Sequence, residues 1–214
     1  MKKKYPELFY LSEIVKPGFI CIDIGANVGY YSFFLSKYAG NEGEILAVEP
    51  IPLFAEIWKK NVKPGKRKNL KLFNCALGGE STMVQMGIPE VDGVLHHGMT
   101  KIVSTREEKY VKFYDVEMKV PDKLFADLDR IDFIKCDVEG YESIVFGNML
   151  NVIRKHKPLI QSELSGNENR NRVIDLLLNE GYALHVLKDK KLVPVSREEA
   201  ARISSDFYFS PVIN

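Results

Sequence analysis

The stretch that decides the fold is Phe19-Ile20-Cys21-Ile22-Asp23-Ile24-Gly25-Ala26-Asn27-Val28-Gly29. An apolar run enters a glycine turn, and a helix-like run from Tyr30 to Tyr38 follows. Strand, glycine turn and helix in that order build a nucleotide-cofactor loop, because a missing β-carbon lets backbone and ligand come close. The spacing is D-x-G-x-x-x-G and not G-x-G-x-x-G, the fingerprint that seats a pyrophosphate on a helix N-terminus. Asp23 at the strand end instead suits a ligand with a positive or hydrogen-bond-donating group. S-adenosyl-L-methionine carries an ammonium and a sulfonium and has no phosphate.

Outward from this loop, strands and helices alternate, which predicts a largely parallel sheet with helices on both faces. The expected strands are Phe19–Asp23, Glu44–Val48, Asn69–Ala76, Asp132–Asp137, Pro158–Leu164, Tyr182–Leu187 and Asp206–Ser210. The expected helices are Gly29–Tyr38, Leu53–Asn61 (closed by Pro64-Gly65), Tyr141–Phe146, Asn169–Glu180 and a short one at Arg197–Arg202. Between Gly78 and Pro121 the pattern breaks. Ser81–Met86 and Val111–Val120 read as added strands, and Gly87–Glu108 as a long loop of the kind that carries binding or merely covers a sheet edge. One domain with an insertion at 78–121 on the substrate side is the economical organisation.

The chain has 214 residues, enough for one α/β domain with a full core. Its 30 basic and 29 acidic residues nearly cancel, so no general field draws it to nucleic acid or to a membrane. The start Met1-Lys2-Lys3-Lys4 lacks a following apolar segment, and no run approaches the roughly 18 apolar residues of a membrane span. A cytoplasmic location is expected. Cys21, Cys75 and Cys136 are odd in number and widely spaced, which reads as buried core thiols and neither a disulfide framework nor a zinc site.

In an open α/β sheet, ligands bind beyond the carboxyl ends of the strands. Asp23, Glu49, Ala76 and Asp137 stand at those ends. Glu49 lies about 20 residues past Gly29, the offset of an acid that accepts from ribose hydroxyls, and Pro50 fixes the turn after it. Cys75-Ala76-Leu77 would form a slot for an adenine ring. Lys135, Asp137 and Glu139 follow the apolar Phe133-Ile134, and period-two alternation sets Lys135 and Asp137 on one face. Three charges after such a run are expensive to bury unless paired, so the cluster reads as a site or as a structural ion-pair network.

The set D-I-G-A-N-V-G-Y-Y, V-E-P-I-P, I-K-C-D-V-E-G-Y-E and I-Q-S-E, in that order, resembles the FkbM family of methyltransferases over roughly Phe19 to Leu164. The resemblance implies an S-adenosyl-L-methionine-dependent enzyme, mostly O-methylating, with a class I Rossmann-like fold. It implies a seven-stranded, mostly parallel sheet of order 3-2-1-4-5-7-6, with strand seven antiparallel. It also implies that Asp23, Gly25, Asn27 and Gly29 surround the methionine moiety, that Glu49 meets the ribose and that Asp137 lies near the reactive methyl. Ala26, Pro50, Cys75, Ala76 and Leu77 complete the expected cofactor set.

A hydroxyl nucleophile needs positioning beside the methyl carbon and a base for its proton. Asp137 and Glu139 are the expected positioning carboxylates, His96 or His97 the expected base, and Lys135 and Glu163 the expected substrate contacts. Asp137, Glu139 and Glu163 could also gather oxygen ligands for a divalent metal, but Lys135 beside them argues against one. The expected acceptor is a small-molecule hydroxyl, on a sugar, a polyketide or a similar compound. Two other readings stand beside this one. An RNA methyltransferase would use the basic run Lys59, Lys60, Lys63, Lys66, Arg67, Lys68 and Lys71. A nicotinamide-dependent oxidoreductase would need the G-x-G-x-x-G that is missing.

Overall fold

The computed structural model describes residues 6–63, 67–91, 94–95, 100–103, 110–164, 166–203 and 206–212. The basic start, the Pro64-Gly65 turn with Lys66, the histidines His96 and His97 and much of the loop expected at Gly87–Glu108 lie outside the described residues. Helix α1 (Pro6–Ile14) precedes β1 (Ile20–Ile24), α2 (Tyr30–Ala39), β2 (Glu44–Val48), α3 (Pro52–Val62) and β3 (Leu70–Phe73). Next come β4 (Ala76–Leu77), β5 (Thr82–Val91), β6 (Val94–Leu95), β7 (Lys101–Ile102) and β8 (Tyr110–Lys119). Alternation then resumes with α4 (Pro121–Leu124), β9 (Phe133–Cys136), α5 (Glu142–Gly147), α6 (Leu150–His156), β10 (Leu159–Glu163) and α7 (Asn167–Asn179). The chain closes with β11 (Tyr182–Lys188), β12 (Lys191–Pro194), α8 (Arg197–Ala200) and β13 (Asp206–Pro211).

The main sheet has eight strands in the order β3-β2-β1-β9-β10-β13-β11-β12. The expected seven strands and their order are therefore corrected. The added strand is β12, which pairs antiparallel with β11 across Asp189-Lys190, both at positive φ. Numbered without it, the other seven keep the succession 3-2-1-4-5-7-6. The strands from β3 to β10 are parallel and β13 is antiparallel. The expected third strand, Asn69–Ala76, divides in two: β3 stays in the main sheet, and β4 joins β8 in a second sheet of five strands. Asn74 makes the break, its Nδ2 donating to the carbonyls of Glu49 and Pro50 at 2.7 and 3.0 Å. A side chain that hydrogen-bonds backbone diverts the chain from the ladder.

Two apolar layers enclose the main sheet. Cys21, Ile45 and Phe133 pack under α1 and α2 with Leu8, Leu11 and Leu35. Ile22, Ile24, Ile134 and Ile160 face the other way, onto Val145, Phe146, Ile153 and Val173 of α5, α6 and α7. Alternate residues of one strand thus feed opposite layers, as the pleat requires. The second sheet buries Ala76, Met86, Val116 and Met118 against Ile51 and Phe54. That contact holds it beside the carboxyl ends of β2 and β3. Among the described residues no helix is long and apolar enough to cross a membrane.

Candidate active site

Asp23, next to last in β1, is almost fully buried. Its Oδ2 accepts from Ser32 Oγ at 2.5 Å, and Ser32 in turn accepts from Trp58 Nε1 at 2.8 Å. This relay ties β1, α2 and α3 together. Burial pushes the Asp23 carboxyl up to about 6, against the opposing pull of the Ser32 bond and of Lys135. The glycines of the loop are required by protein neighbours. A β-carbon on Gly25, at φ +78°, would lie 1.8 Å from the Asp137 carbonyl oxygen. One on Gly29, at φ +93°, would lie 2.4 Å from Val62 Cγ2 and 2.8 Å from Trp58 Cδ1. Gly25 thus lets the loops after β1 and β9 touch, and Gly29 lets α2 start against α3.

Glu49 is a brace as well as a candidate ribose acceptor. Its Oε2 accepts from Asn27 N and its Oε1 from Ile51 N, both at 2.8 Å. The carboxylate therefore fixes the turn of the β1 loop and the entry to α3. Each oxygen keeps a further acceptor position. Burial raises its pKa to about 7, although both backbone bonds favour the charged form.

Lys135 is 2% exposed, so the main chain presents it from beneath the crevice. Its Nζ lies 3.1 Å from Asp137 Oδ2 and 4.8 Å from the centre of the Tyr31 ring. Burial works against its charge, but Asp137, Asp206 and Asp23 outweigh it and hold its pKa above the ordinary lysine value. Cross-strand register sets Asp23, Lys135, Gln161 and Tyr208 side by side on neighbouring strands. Gln161 Nε2 donates to the Tyr31 hydroxyl at 2.8 Å and to Asp206 Oδ2 at 2.5 Å. A polar row thus crosses the face under α1 and α2.

The loop after β9 carries Glu139 at φ +55° and Gly140 at φ +94°. Glu142, fully buried, holds this left-handed turn. It accepts from Val138 N at 2.9 Å and from Gly140 N at 3.1 Å, and Asn169 Nδ2 of α7 donates to it at 2.5 Å. Glu139 is raised to about 7 by burial and by Asp137, Glu163 and Glu142.

Three depressions meet at Gly25. An apolar slot of about 140 Å³ is walled by Pro50, Cys75, Ala76, Leu77, Val138 and Tyr141. A second, of about 110 Å³, holds Asn27, Glu49, Asp137 and Glu139. The third, a chamber of about 430 Å³, is lined by Leu8, Asp23, Ala26, Tyr31, Phe34, Lys135 and Asp137. The expected cofactor residues therefore come together, except Gly29, which lines none of the three. Met86, Thr100, Lys101 and Ile102 of the insertion line the apolar slot. Glu163 lies opposite Asp206 on the neighbouring strand and lines none of the three. Burial raises its pKa. Among the described residues no group of three or more His, Cys, Asp or Glu is placed to hold a metal ion.

The sequence reading missed Ser32, Trp58, Gln161 and Asn169, whose roles depend on contacts far apart in the chain. It also gave no role to Glu142, although its motif was in view. Its signal was a carboxylate two residues after a glycine turn, the spacing that lets a side chain accept from the turn's own amides.

The sequence profile of the Methyltransferase FkbM domain matches residues 23–184. No curated protein matches the sequence. Among solved structures, methyltransferase FkbM from Methylobacillus flagellatus KT aligns with a TM-score of 0.56 at 16% identity, over 95% of this chain and 50% of that one. An S-adenosylmethionine-dependent O-methyltransferase from Thermotoga maritima aligns with a TM-score of 0.55 at 12% identity, over 98% and 66%. A putative rRNA methylase from Clostridium thermocellum aligns with a TM-score of 0.54 at 9% identity, over 95% and 91%. At these identities the likeness is one of fold. The chain spans half the length of the first and about two thirds of the second.

Proposed function

The chain belongs to the FkbM methyltransferase domain family, and we propose that it methylates a hydroxyl of a small molecule. S-adenosyl-L-methionine is the methyl donor. The observation that carries the reading is the meeting of the three depressions at Gly25. The apolar slot suits adenine, the Glu49 carboxylate suits ribose hydroxyls, and Asp23 and Asp137 suit the ammonium and sulfonium. When bound, the donor supplies an electrophilic methyl group on sulfur.

The chain's own residues hold and orient. Pro50, Cys75, Ala76 and Leu77 would hold the purine by apolar contact. Asp137, whose side chain is 31% exposed, reaches the crevice while Lys135 fixes it from below. Asp137 would align the acceptor hydroxyl and take its proton. Glu139, in the second depression, is the alternative acceptor for that proton. Three buried free cysteines fit a reducing, cytoplasmic setting.

The basic run weighs little toward RNA. Lys63, Arg67 and Lys68 lead into β3, and in a parallel sheet strand starts lie at the edge opposite the carboxyl ends that carry the site. Calorimetry with S-adenosylhomocysteine tests the donor site, and RNA competition tests the acceptor class. Tight S-adenosylhomocysteine binding with no loss on adding RNA is expected. Absence of that binding, or salt-sensitive RNA binding that displaces a small acceptor, would overturn the reading.

A further inference from the structure

We infer that the insertion serves the methyl donor and not the acceptor. Strand β7 roofs the purine slot, Thr100 and Ile102 set the affinity for the adenosine half of the donor, and Gly87 is the positioning residue that lets the roof lie down. The inference rests on the methyltransferase reading above. Met86, Thr100, Lys101 and Ile102 line the apolar slot, and Met86 and Thr100 line the second depression as well. Among the described residues, none from the insertion lines the chamber. The insertion thus meets the places proposed for base and ribose and stays off the place beside Asp23 and Lys135. An apolar roof takes one more face of a purine out of water, and affinity follows the area removed.

The roof is held from two sides. β7 pairs antiparallel with β5, Met86 opposite Ile102 and Gly87 opposite Lys101, and Val103 N donates to the Gln85 carbonyl at 2.9 Å. Ile102 packs on the apolar cluster of Ile51, Phe54, Met86 and Met118. Glu49 Oε1 accepts from Ile51 N at 2.8 Å, so the roof and the candidate ribose acceptor rest on the same turn. Side chains already packed lose little further freedom when a base slides beneath them. Gly87 lines none of the three depressions. Its φ is not positive, so its own backbone does not call for glycine. The need comes from its neighbours: a β-carbon there would lie 2.7 Å from Val103 Cγ2 and 2.8 Å from Tyr110 Cδ1. Val103 is β-branched and stiff, so a side chain at position 87 lifts the segment that carries Thr100 and Ile102.

The test uses the whole chain with labelled Ile, Leu, Met and Thr methyl groups and two ligands. One is S-adenosylhomocysteine; the other is methylthioadenosine, which keeps the adenosine and lacks the amino-acid arm. On wild type, nuclear Overhauser contacts are expected from the Ile102, Thr100 and Met86 methyls to the adenine ring protons, beside those from Leu77. Ile102→Ala should weaken both ligands by about tenfold in calorimetry, because both carry the adenosine. Gly87→Val should weaken both by about fivefold or more and erase the Ile102 contact while the Leu77 contact persists. That persistence shows a folded protein that still seats the purine. Met83→Ala, on the same strand and 63% exposed, should leave both affinities within about twofold. If wild type fails to bind S-adenosylhomocysteine, the methyltransferase reading itself fails. If it binds, the roof is overturned by the absence of adenine contacts from Ile102, Thr100 and Met86, or by an Ile102→Ala variant that holds both ligands as wild type does. A Gly87→Val variant with unchanged affinity and an intact Ile102 contact removes Gly87 from its positioning role. Where a variant does not fold, the wild-type contacts decide by themselves.

Discussion

Two carboxylates do different work although both stand at strand ends. Asp23 is almost fully buried and tied to Ser32 where it lines the chamber, whereas Asp137 is the more open of the two. Ser32→Ala would strip the bond from Asp23 and strand Trp58 Nε1 in the core. We expect a loss of about 1–3 kcal/mol in urea unfolding, the cost of buried groups left unpaired. Asp137→Asn would keep the shape of the crevice but remove the charge that offsets Lys135. S-adenosylhomocysteine binding should persist in calorimetry, while methyl transfer to any acceptor found falls to background; turnover near wild type would remove Asp137 from the mechanism. Glu49→Gln would replace one acceptor oxygen by a donor facing a backbone N–H. The expected loss is about 1–3 kcal/mol of S-adenosylhomocysteine affinity. Unchanged affinity would show that Glu49 braces the loop without contacting ribose.

At the scale of elements, the site is a set of loops tied to one another. Gly25 brings the β1 loop against the Asp137 carbonyl, and Glu142 closes the turn after β9 onto α7 through Asn169. Glu142→Ala would free the amides of Val138 and Gly140 and release the left-handed turn at Glu139. Hydrogen exchange should rise at Val138–Gly140 first, and S-adenosylhomocysteine binding should weaken with it. Protection unchanged at those amides would show that the turn holds by itself. Sequence spacing placed this motif correctly at the end of a strand. It assigned the charges as one cluster, because alternation along a strand says which face a side chain takes and not how deeply it lies. Burial separates them: Lys135 beneath, Asp137 at the surface of the crevice, and Glu139 at the wall shared by the apolar slot and the second depression.

For the whole molecule, the raised carboxyls set a pH dependence. Asp23 stands at about 6 and Glu49 and Glu139 at about 7, above their ordinary values of 3.8 and 4.5. Between those limits the folded protein binds more protons than the unfolded chain, so stability falls as pH rises from about 4.5 to about 7. Unfolding curves at the two ends of that window check the sign. Donor binding should run the other way, because a cation favours the ionised carboxylates; affinity should climb over the same window with release of protons. Local sequence accounts for the α/β alternation, the glycine loop after the first strand and the acids at the carboxyl ends of the strands. These follow from hydrophobic period, glycine position and short-range spacing, all local in the chain. Only the packing of distant segments set the eighth strand, the split of the third strand at Asn74 and the second sheet over the apolar slot. It also decided the polar row from Asp23 to Tyr208 and the chamber beneath α1. Each of these depends on which distant segments lie side by side, and that is fixed by packing and strand register.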